Sequence, residues 1–139
     1  MISVVRIARI TVETFIHATE DTEKVESALR HLMPSFERRK VEGYFGNPIL
    51  ILSGEIKKKR DIESFMKNVK EKISADDIDF TRCTDEEGPL HLRLDKQRLY
   101  DGILTLRNDG EVKVTIGIQA YPHKKEDVVL NARKVFESY

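Results

Sequence analysis

The stretch that decides the fold runs from Leu90 to Pro122 and reads LHLRLDKQRLYDGILTLRNDGEVKVTIGIQAYP. Apolar and polar residues alternate over residues 112–120, a period of two that predicts a strand with one buried face. Residues 90–94 alternate in the same way, and residues 103–107 predict a further short strand. Between that strand and residue 112 lies Asn-Asp-Gly at 108–110, which tolerates positive φ and is typical of a hairpin turn. We therefore expect an antiparallel hairpin over residues 103–120, with the strand at 90–94 feeding the same sheet.

Three more strands are predicted before this stretch. Residues 4–16 form a long first strand, with Ile10, Val12, Thr14 and Ile16 on one side. A short strand is expected at residues 38–42. The run Ile-Leu-Ile-Leu at 49–52 opens a strand to residue 56, and its lack of alternation favours a central place in the sheet, buried on both faces.

Helical spacing of apolar residues predicts about three helices. Their inward positions run from Val25 to Met33, from Ile62 to Ile73 and from Val128 to Phe136. Helices and strands follow one another in the order β-α-β-β-α-β-β-β-α. The prediction is a single α+β domain over residues 1–139, with the helices packed on one face of the sheet. The sheet is expected to be antiparallel, and the order leaves a mixed sheet open.

Composition limits the class of protein. The chain has 139 residues, enough for one domain, and 24 basic residues balance 24 acidic ones. A net charge of zero argues against a polybasic binder, yet basic residues predominate over 37–72 and acidic ones over 74–88, so one face can still bind a polyanion. The single cysteine, Cys83, excludes an internal disulfide and is typical of a reducing cytoplasm. The sequence has no apolar run as long as a membrane span, so we expect a cytoplasmic protein without a membrane partner.

Signals for catalysis are weak. The four histidines lack zinc-site spacing, and the sequence has no nucleotide-binding glycine motif and no nucleophile elbow. Cys83 beside Arg82 is open to two interpretations, a nucleophile or a small buried side chain. The acidic segment 76–87 is either a divalent-cation site or a solvated turn. We predict no catalytic residues, no metal site and no cofactor, and leave the role of the acidic segment undecided.

Basic and aromatic residues are a better guide to function. Two basic groups flank a glycine-bounded loop that carries two consecutive aromatic residues. Phosphates attract cations and unpaired bases stack on flat rings, so this combination is typical of single-stranded RNA binding. The alternatives are a solvated basic face, and a Phe45 that plugs the core or a dimer interface. The predicted phosphate contacts are Arg38, Arg39, Lys40, Lys57, Lys58, Lys59 and Arg60, and the predicted stacking residues are Tyr44 and Phe45.

A second polar group follows the strand at 90–94. Arginine and glutamine at a strand end can reach phosphates or base edges. The alternative is a cross-strand ladder of ion pairs around Asp95. The second-choice RNA-contacting residues are Arg93, Lys96, Gln97 and Arg98.

An ordered set of short motifs resembles an archaeal family of small proteins described as predicted RNA-binding, exosome-associated proteins. The motifs are HATED at 17–21, Glu42-Gly43 with Gly46-Asn47-Pro48, LRLDKQ at 92–97, Gly102, and Ala120-Tyr121-Pro122. The resemblance spans nearly the whole chain. It implies RNA binding, a link to the exosome, and a fold like that of the ribosomal protein that holds five-S rRNA. It carries over no catalytic residue, and Tyr44-Phe45 departs from the pattern we expect between the two loop glycines.

Together these observations predict a non-enzymatic RNA-binding protein, an accessory to RNA processing or to exosome-mediated degradation. Its expected partners are RNA and exosome components. Because few helices leave one sheet face uncovered, we also expect a homodimer that uses the sheet or the aromatic loop. The alternatives are a homodimeric adaptor that does not bind RNA and a metal-dependent enzyme that uses the acidic segment.

Overall fold

The computed structural model describes residues 4–43, 46 and 48–139. Five strands form one antiparallel sheet in the order β2-β3-β1-β5-β4. The α+β class and the antiparallel sheet predicted from the sequence are confirmed. The strands are β1 Val4–Ile16, β2 Glu37–Glu42, β3 Pro48–Ile56, β4 Leu90–Leu94 and β5 Val112–Tyr121.

The long first strand is the centre of the sheet. β1 pairs with β3 along one edge and with β5 along the other. Alternate residues of β1 point into the core, where Ile10 and Val12 are fully buried. Directly paired residues share a face of the sheet, so Val114 and Ile116 of β5 are buried in the same core. β3, predicted at the centre of the sheet, instead lies between β1 and the edge strand β2, so the predicted position was wrong. The predicted burial on both faces is confirmed at Ile51 and Leu52, which are buried on opposite faces.

The helices pack on this apolar face. The elements are α1 Thr22–Arg30, α2 Lys59–Lys72, α3 Phe80–Cys83, α4 Lys96–Tyr100 and α5 Val128–Ser138, with 3₁₀ turns at Ala75–Asp77 and Lys125–Asp127. Three of them are long, and their inward residues follow the predicted spacing. In the described ranges, no helix is long and apolar enough to span a membrane.

Aspartate side chains cap the N-termini of α1 and α4. Asp21 accepts hydrogen bonds from the backbone N–H groups of Glu23 and Lys24 at 3.0 and 3.4 Å. Asp95 accepts one from Arg98 N–H at 3.0 Å, which begins α4 directly after β4. The sequence interpretation placed residues 95–98 at a strand end and missed this helix.

The predicted hairpin over residues 103–120 is wrong. Both edges of β5 are occupied, by β1 and by β4. Residues 103–107 lie instead along the outer edge of β4, where Leu106 bridges Leu94 and Arg107 N–H donates to Arg93 C=O at 3.0 Å. Long-range pairing of β5 with β1 and β4 outweighs the local hairpin.

The turn at residues 108–110 does form, with Gly110 N–H donating to Arg107 C=O at 3.0 Å. The glycine is needed for space, because its φ is not positive. A Cβ added at Gly110 would lie 2.4 Å from the carbonyl oxygen of Leu94. The chain therefore crosses the end of β4 too closely for any side chain.

Candidate nucleic-acid interface

The second face of the sheet carries the polar residues that alternate with the core. Along β1 and β5, Arg9 pairs with Gly117, Thr11 with Thr115, and Glu13 with Lys113. β4 continues the rows with His91 opposite Thr115 and Arg93 opposite Lys113. The helices occupy the other face, so these side chains are exposed or half-buried. We call this surface, made by the side chains opposite the core, the open face.

Cations on the open face are largely without acidic partners. Within the part of the chain that the structure describes, Arg9, Arg39, Arg93 and Lys113 form no ion pair. The acids on the same face are Glu13, Glu37 and Glu55, and the last is bound by Lys57 at 3.0 Å. An unpaired surface cation gives up no ion pair when it contacts a phosphate.

Aromatic rings lie at both ends of the open face. Phe15 pairs with Ile51 near β2 and β3, and the Lys113 ammonium lies 6.0 Å from its ring centre. At the other end, Tyr121 is 72% exposed and follows Gln119, which accepts a hydrogen bond from Arg6 at 2.9 Å. An exposed ring beside cations on an open sheet provides what an unpaired base and its phosphate need.

The basic residues of β2 have different environments. Arg38 belongs to the core side of the sheet and forms an ion pair with Glu26, a buried residue of α1. The hydrogen bond from Arg38, with its charge, holds the pKa of Glu26 below its ordinary value. Arg39 lies on the open face opposite Ile51, and Lys40 is exposed on the core side. β2 is an edge strand, and charged residues on an edge strand disfavour pairing with another chain.

The second basic run is distant from most of β2. Lys57 follows β3, and Lys58, Lys59 and Arg60 are exposed at the first turn of α2. Lys40 pairs with Leu50. At about 3.3 Å per residue, roughly 20 Å of strand separates Lys40 from Lys57. The two basic runs therefore do not form one compact cluster, and the predicted stacking residues Tyr44 and Phe45 lie outside the described residues.

Lys96 is buried, and its ammonium is bonded within the fold. Its side chain is 4% exposed, and its ammonium donates to Phe15 C=O at 2.8 Å and lies 2.9 Å from Glu20 Oε1 and 3.0 Å from Glu111 Oε2. With three oxygens around it, this ammonium is not available to a phosphate. Gln97 and Arg98, by contrast, are exposed on α4.

Glu20 receives several donors in this cluster. Burial would raise the pKa of Glu20, but the His17 N–H, at 3.0 Å, and the Lys96 ammonium together lower it below its ordinary value. Tyr100 donates to the same carboxylate at 3.3 Å; burial first, and then the negative charge of Glu20, raise the pKa of Tyr100. The cluster joins two motifs that carry the family resemblance, HATED and LRLDKQ, although they are far apart in the sequence.

One group of possible metal ligands occurs among the described residues. His17, Glu20 and Glu111 bring ligand atoms within 4.8 Å of one another. The Lys96 ammonium already bonds to both carboxylates, so a cation would have to displace it. The acidic segment 76–87 forms no such group; Asp76 pairs with Arg133, Asp79 caps α3, and Asp85 lies 3.6 Å from His91.

Comparison with known proteins identifies the family. A family model described as RNA binding matches residues 9–120. The chain belongs to this RNA-binding family. A Pyrococcus abyssi protein named as an RNA-binding protein is 41% identical, and the alignment covers 92% of each chain.

Solved members show the same fold. A DUF54 protein from Methanothermobacter thermautotrophicus has 37% identity and a TM-score of 0.79, over 94% of this chain and 98% of its own. A DUF54 protein from Archaeoglobus fulgidus has 34% identity and a TM-score of 0.83, over 92% of this chain and 98% of its own. None of these relatives has a name that indicates an enzyme. The prediction of an archaeal RNA-binding family is thereby confirmed at the level of the family.

Sequence reasoning missed part of the open face. Arg6, Arg9, Lys113 and Tyr121 were not among the predicted contacts, because they are scattered and do not form a basic run. The signal was present in the alternation of β1 and β5, which predicted a polar face opposite the core. Grouping polar residues by strand face would have found them.

Proposed function

We propose that the chain is a non-enzymatic RNA-binding protein that binds RNA across its open face. The observation that carries the proposal is a set of open-face cations that form no ion pair among the described residues, Arg9, Arg39, Arg93 and Lys113. The exposed ring of Tyr121 lies at one end of the same face, where Arg6 is the nearest of the strand cations. Membership of an RNA-binding family supports the class of ligand. In this proposal the arginines and lysine contact phosphates, and Tyr121 stacks with a base.

The basic run at the start of α2 is a further part of the proposed interface. Lys58, Lys59 and Arg60 are exposed and form no ion pair among the described residues. They lie beyond the end of β3, where they extend the path of an RNA strand that crosses β3 and β1. Tyr44 and Phe45 stay predicted stacking residues. Gln97 and Arg98 stay predicted secondary contacts with the RNA.

A binding titration with single-stranded and structured RNA at two salt concentrations tests the proposal. Each lost phosphate contact should flatten the salt dependence of a single strand, by about 0.7 in the log–log slope. We expect Arg9→Ala/Lys113→Ala to weaken binding of all sequences and to flatten the slope. Lys58→Ala/Lys59→Ala/Arg60→Ala tests the α2 run in the same way.

The matched control is Lys67→Ala, because Lys67 is exposed in the middle of α2, and α2 packs on the other face of the sheet. Circular dichroism checks the fold of each variant. Tyr121→Ala should lower affinity with little change in slope, because stacking is not ionic. Unchanged affinity and slope in both folded basic variants would overturn the open face and the α2 run as the RNA site.

We further propose an accessory role in RNA processing or in exosome-mediated degradation, in the cytoplasm. The family resemblance supports it. Co-purification of exosome subunits with the tagged chain, retained after nuclease treatment, would indicate a protein contact. Loss of those subunits on nuclease treatment would limit the link to shared RNA.

The second candidate function is a homodimeric adaptor. The predicted dimer required an uncovered apolar face. The outward residues of β1 and β5 are mostly polar, but Phe15, Val41, Ile49 and Ile51 form an apolar part of the same face at β2 and β3. Large exposed apolar side chains in the described ranges, Ile103, Tyr121 and Leu130, are scattered. Light scattering decides the oligomeric state, and a tight dimer that does not bind RNA would favour the adaptor.

A further inference from the structure

A groove opens at the edge of the sheet beyond β4. It has a volume of about 520 Å³, within the range of pockets that hold small ligands. Leu106 of the segment after β4 provides an apolar wall, and Leu92 of β4, only 3% exposed, lies at the floor. α3 contributes Arg82 and Cys83. His91 and Arg93 belong both to this groove and to the open face. The groove is therefore continuous with the proposed RNA-binding surface.

The edge of β4 is only partly paired at this groove. Thr84 bridges Leu90 at one end, and Leu106 bridges Leu94 at the other. Because Arg93 C=O and Asp95 N–H point outward to residues 105–107, strand alternation also turns Arg93 N–H and His91 C=O outward. These two backbone groups can pair with the polar edge of a flat ligand. Thr84, which also lines the groove, has a buried hydroxyl without a hydrogen-bond partner in the described part of the chain.

The arginines around the groove differ in their partners. Arg107 is bound by Asp95 at 3.1 Å and by Asp109 at 2.7 Å. Arg82 donates to the neutral amide oxygen of Asn108, and Arg93 to Gly110 C=O at 3.3 Å. Among the described residues neither Arg82 nor Arg93 pairs with a carboxylate. These two guanidinium groups can therefore exchange a neutral partner for a phosphate or stack on a base.

Acidic residues at the groove argue against inorganic phosphate alone. Asp79 and Asp85 lie there, and each uses one carboxylate oxygen to accept a backbone N–H, from Arg82 and Glu87 respectively. Their remaining lone pairs can accept N–H groups from a base edge. Apolar walls, donors, acceptors and two available guanidinium groups together match a nucleotide.

We propose that this groove holds one unstacked nucleotide of the RNA strand that lies on the open face. The inference rests on the proposed RNA-binding function and adds the point at which the protein contacts an individual base. The base lies against Leu106 above the floor of the groove, and Arg82 and Arg93 contact its phosphate. Extruded bases read along their edges are the usual means of RNA recognition in single strands.

The first test is an NMR titration of the ¹⁵N-labelled full chain with nucleoside monophosphates, nucleosides and inorganic phosphate. We expect nucleotides to shift the amide signals of Thr84, Arg93 and Leu106 saturably, about tenfold more tightly than phosphate does. Shifts of equal affinity with phosphate alone would mean a simple anion site and would overturn the proposal. Nucleotide shifts confined to β1 and β5 would also overturn it.

The second test uses variants and a short unstructured RNA. Arg82→Ala should lower the affinity about tenfold, and Cys83→Phe, which fills the groove without changing charge, should lower it without changing the salt slope. Lys67→Ala is the control. Normal binding by Arg82→Ala, with binding weakened by Arg9→Ala/Lys113→Ala, would overturn the groove and leave the open face in place. Absence of RNA binding by the unaltered chain would instead overturn the proposed function, and with it RNA as the source of the nucleotide.

Discussion

The two faces of the sheet are made by alternate residues of the same strands, yet their chemistry is opposite. Ile10 is fully buried under the helices, and its neighbour Arg9 is exposed on the open face without an ion pair in the described chain. Pairing across the strands keeps this division, because Ile10 lies opposite Ile116 and Arg9 opposite Gly117. The difference teaches that stability and the proposed binding are encoded by interleaved positions, so neighbouring substitutions should have separate effects.

The largest expected effect is on the core face. Ile10→Ala removes a fully buried side chain and leaves a cavity, so we expect a loss of about 2–5 kcal/mol in the free energy of unfolding, measured with urea. RNA affinity of the folded fraction should stay unchanged. A loss below about 1 kcal/mol would contradict the buried position, and a change in the salt slope of RNA binding would break the division between the faces.

Lys96→Met tests a cation that the fold itself uses. It removes the buried partner of Glu20 and Glu111. We therefore expect the free energy of unfolding to fall by about 2–3 kcal/mol, measured with urea. That is less than the cost of breaking a fully buried pair, since the Glu111 side chain is 52% exposed. The same substitution at Lys113, on the open face, is the matched control for stability. RNA binding that weakens with a flatter salt slope in folded Lys96→Met would restore Lys96 as a phosphate contact.

Acid should weaken the Lys96 cluster through Glu20. The pKa of this carboxyl is lower in the folded chain than its ordinary value, so its contribution to stability is present above about pH 5 and is lost as the pH falls through the lowered pKa. Glu20→Gln lacks this titration. Urea unfolding at several pH values should therefore show that the difference in free energy of unfolding between the unaltered chain and Glu20→Gln shrinks as the pH falls. A difference that stays constant down to about pH 3 would contradict the assigned interaction.

The smallest expected effect on stability is at the neighbour of Ile10. Arg9→Ala should change the free energy of unfolding by about 0.5 kcal/mol or less, because the side chain is exposed. The same variant should bind RNA more weakly at low salt, by a factor that falls as salt rises. Its contrast with Ile10→Ala is the direct comparison of the two faces. A large loss of stability would show that packing of Arg9 over Gly117 contributes more than the exposure of the side chain indicates.

The sequence allowed most of the regular elements to be predicted. β1 alternates from Arg9 to Ile16, after a register shift between Ile7 and Arg9. The three long helices place their apolar residues at helical spacing, and both patterns are local. The place of β3 in the sheet was wrong, and the wrong assignments of elements lie in residues 95–110. There, Asn108-Asp109-Gly110 is a turn sequence, but a turn does not determine which strand its flanks pair with. The edges of β5 were already occupied by strands from distant parts of the chain.

For the candidate site, too, one part could be predicted from the sequence and another could not. Basic residues were found where they cluster in sequence, at 38–40, 57–60 and 93–98. Pairing could not be predicted, because it depends on which acids the fold brings near: Arg38 meets Glu26 of α1, and Lys96 meets Glu20 and Glu111. The groove beside β4 was also out of reach, because its walls come from segments near residues 82, 92 and 106.

The sequence by itself determined the α+β class, the polar and apolar faces of β1 and β5, and the resemblance to an RNA-binding family, since periodicity and motifs are local properties of the chain. Only the tertiary structure decided which cations are used within the fold and which face solvent. The reason is physical: a charge is neutralised by whatever lies within a few ångströms of it in space, and strand order brings together residues far apart in the sequence. Lys96 and Lys113 have the same side chain, but one is enclosed by three oxygens and the other lies over the ring of Phe15 on the open face.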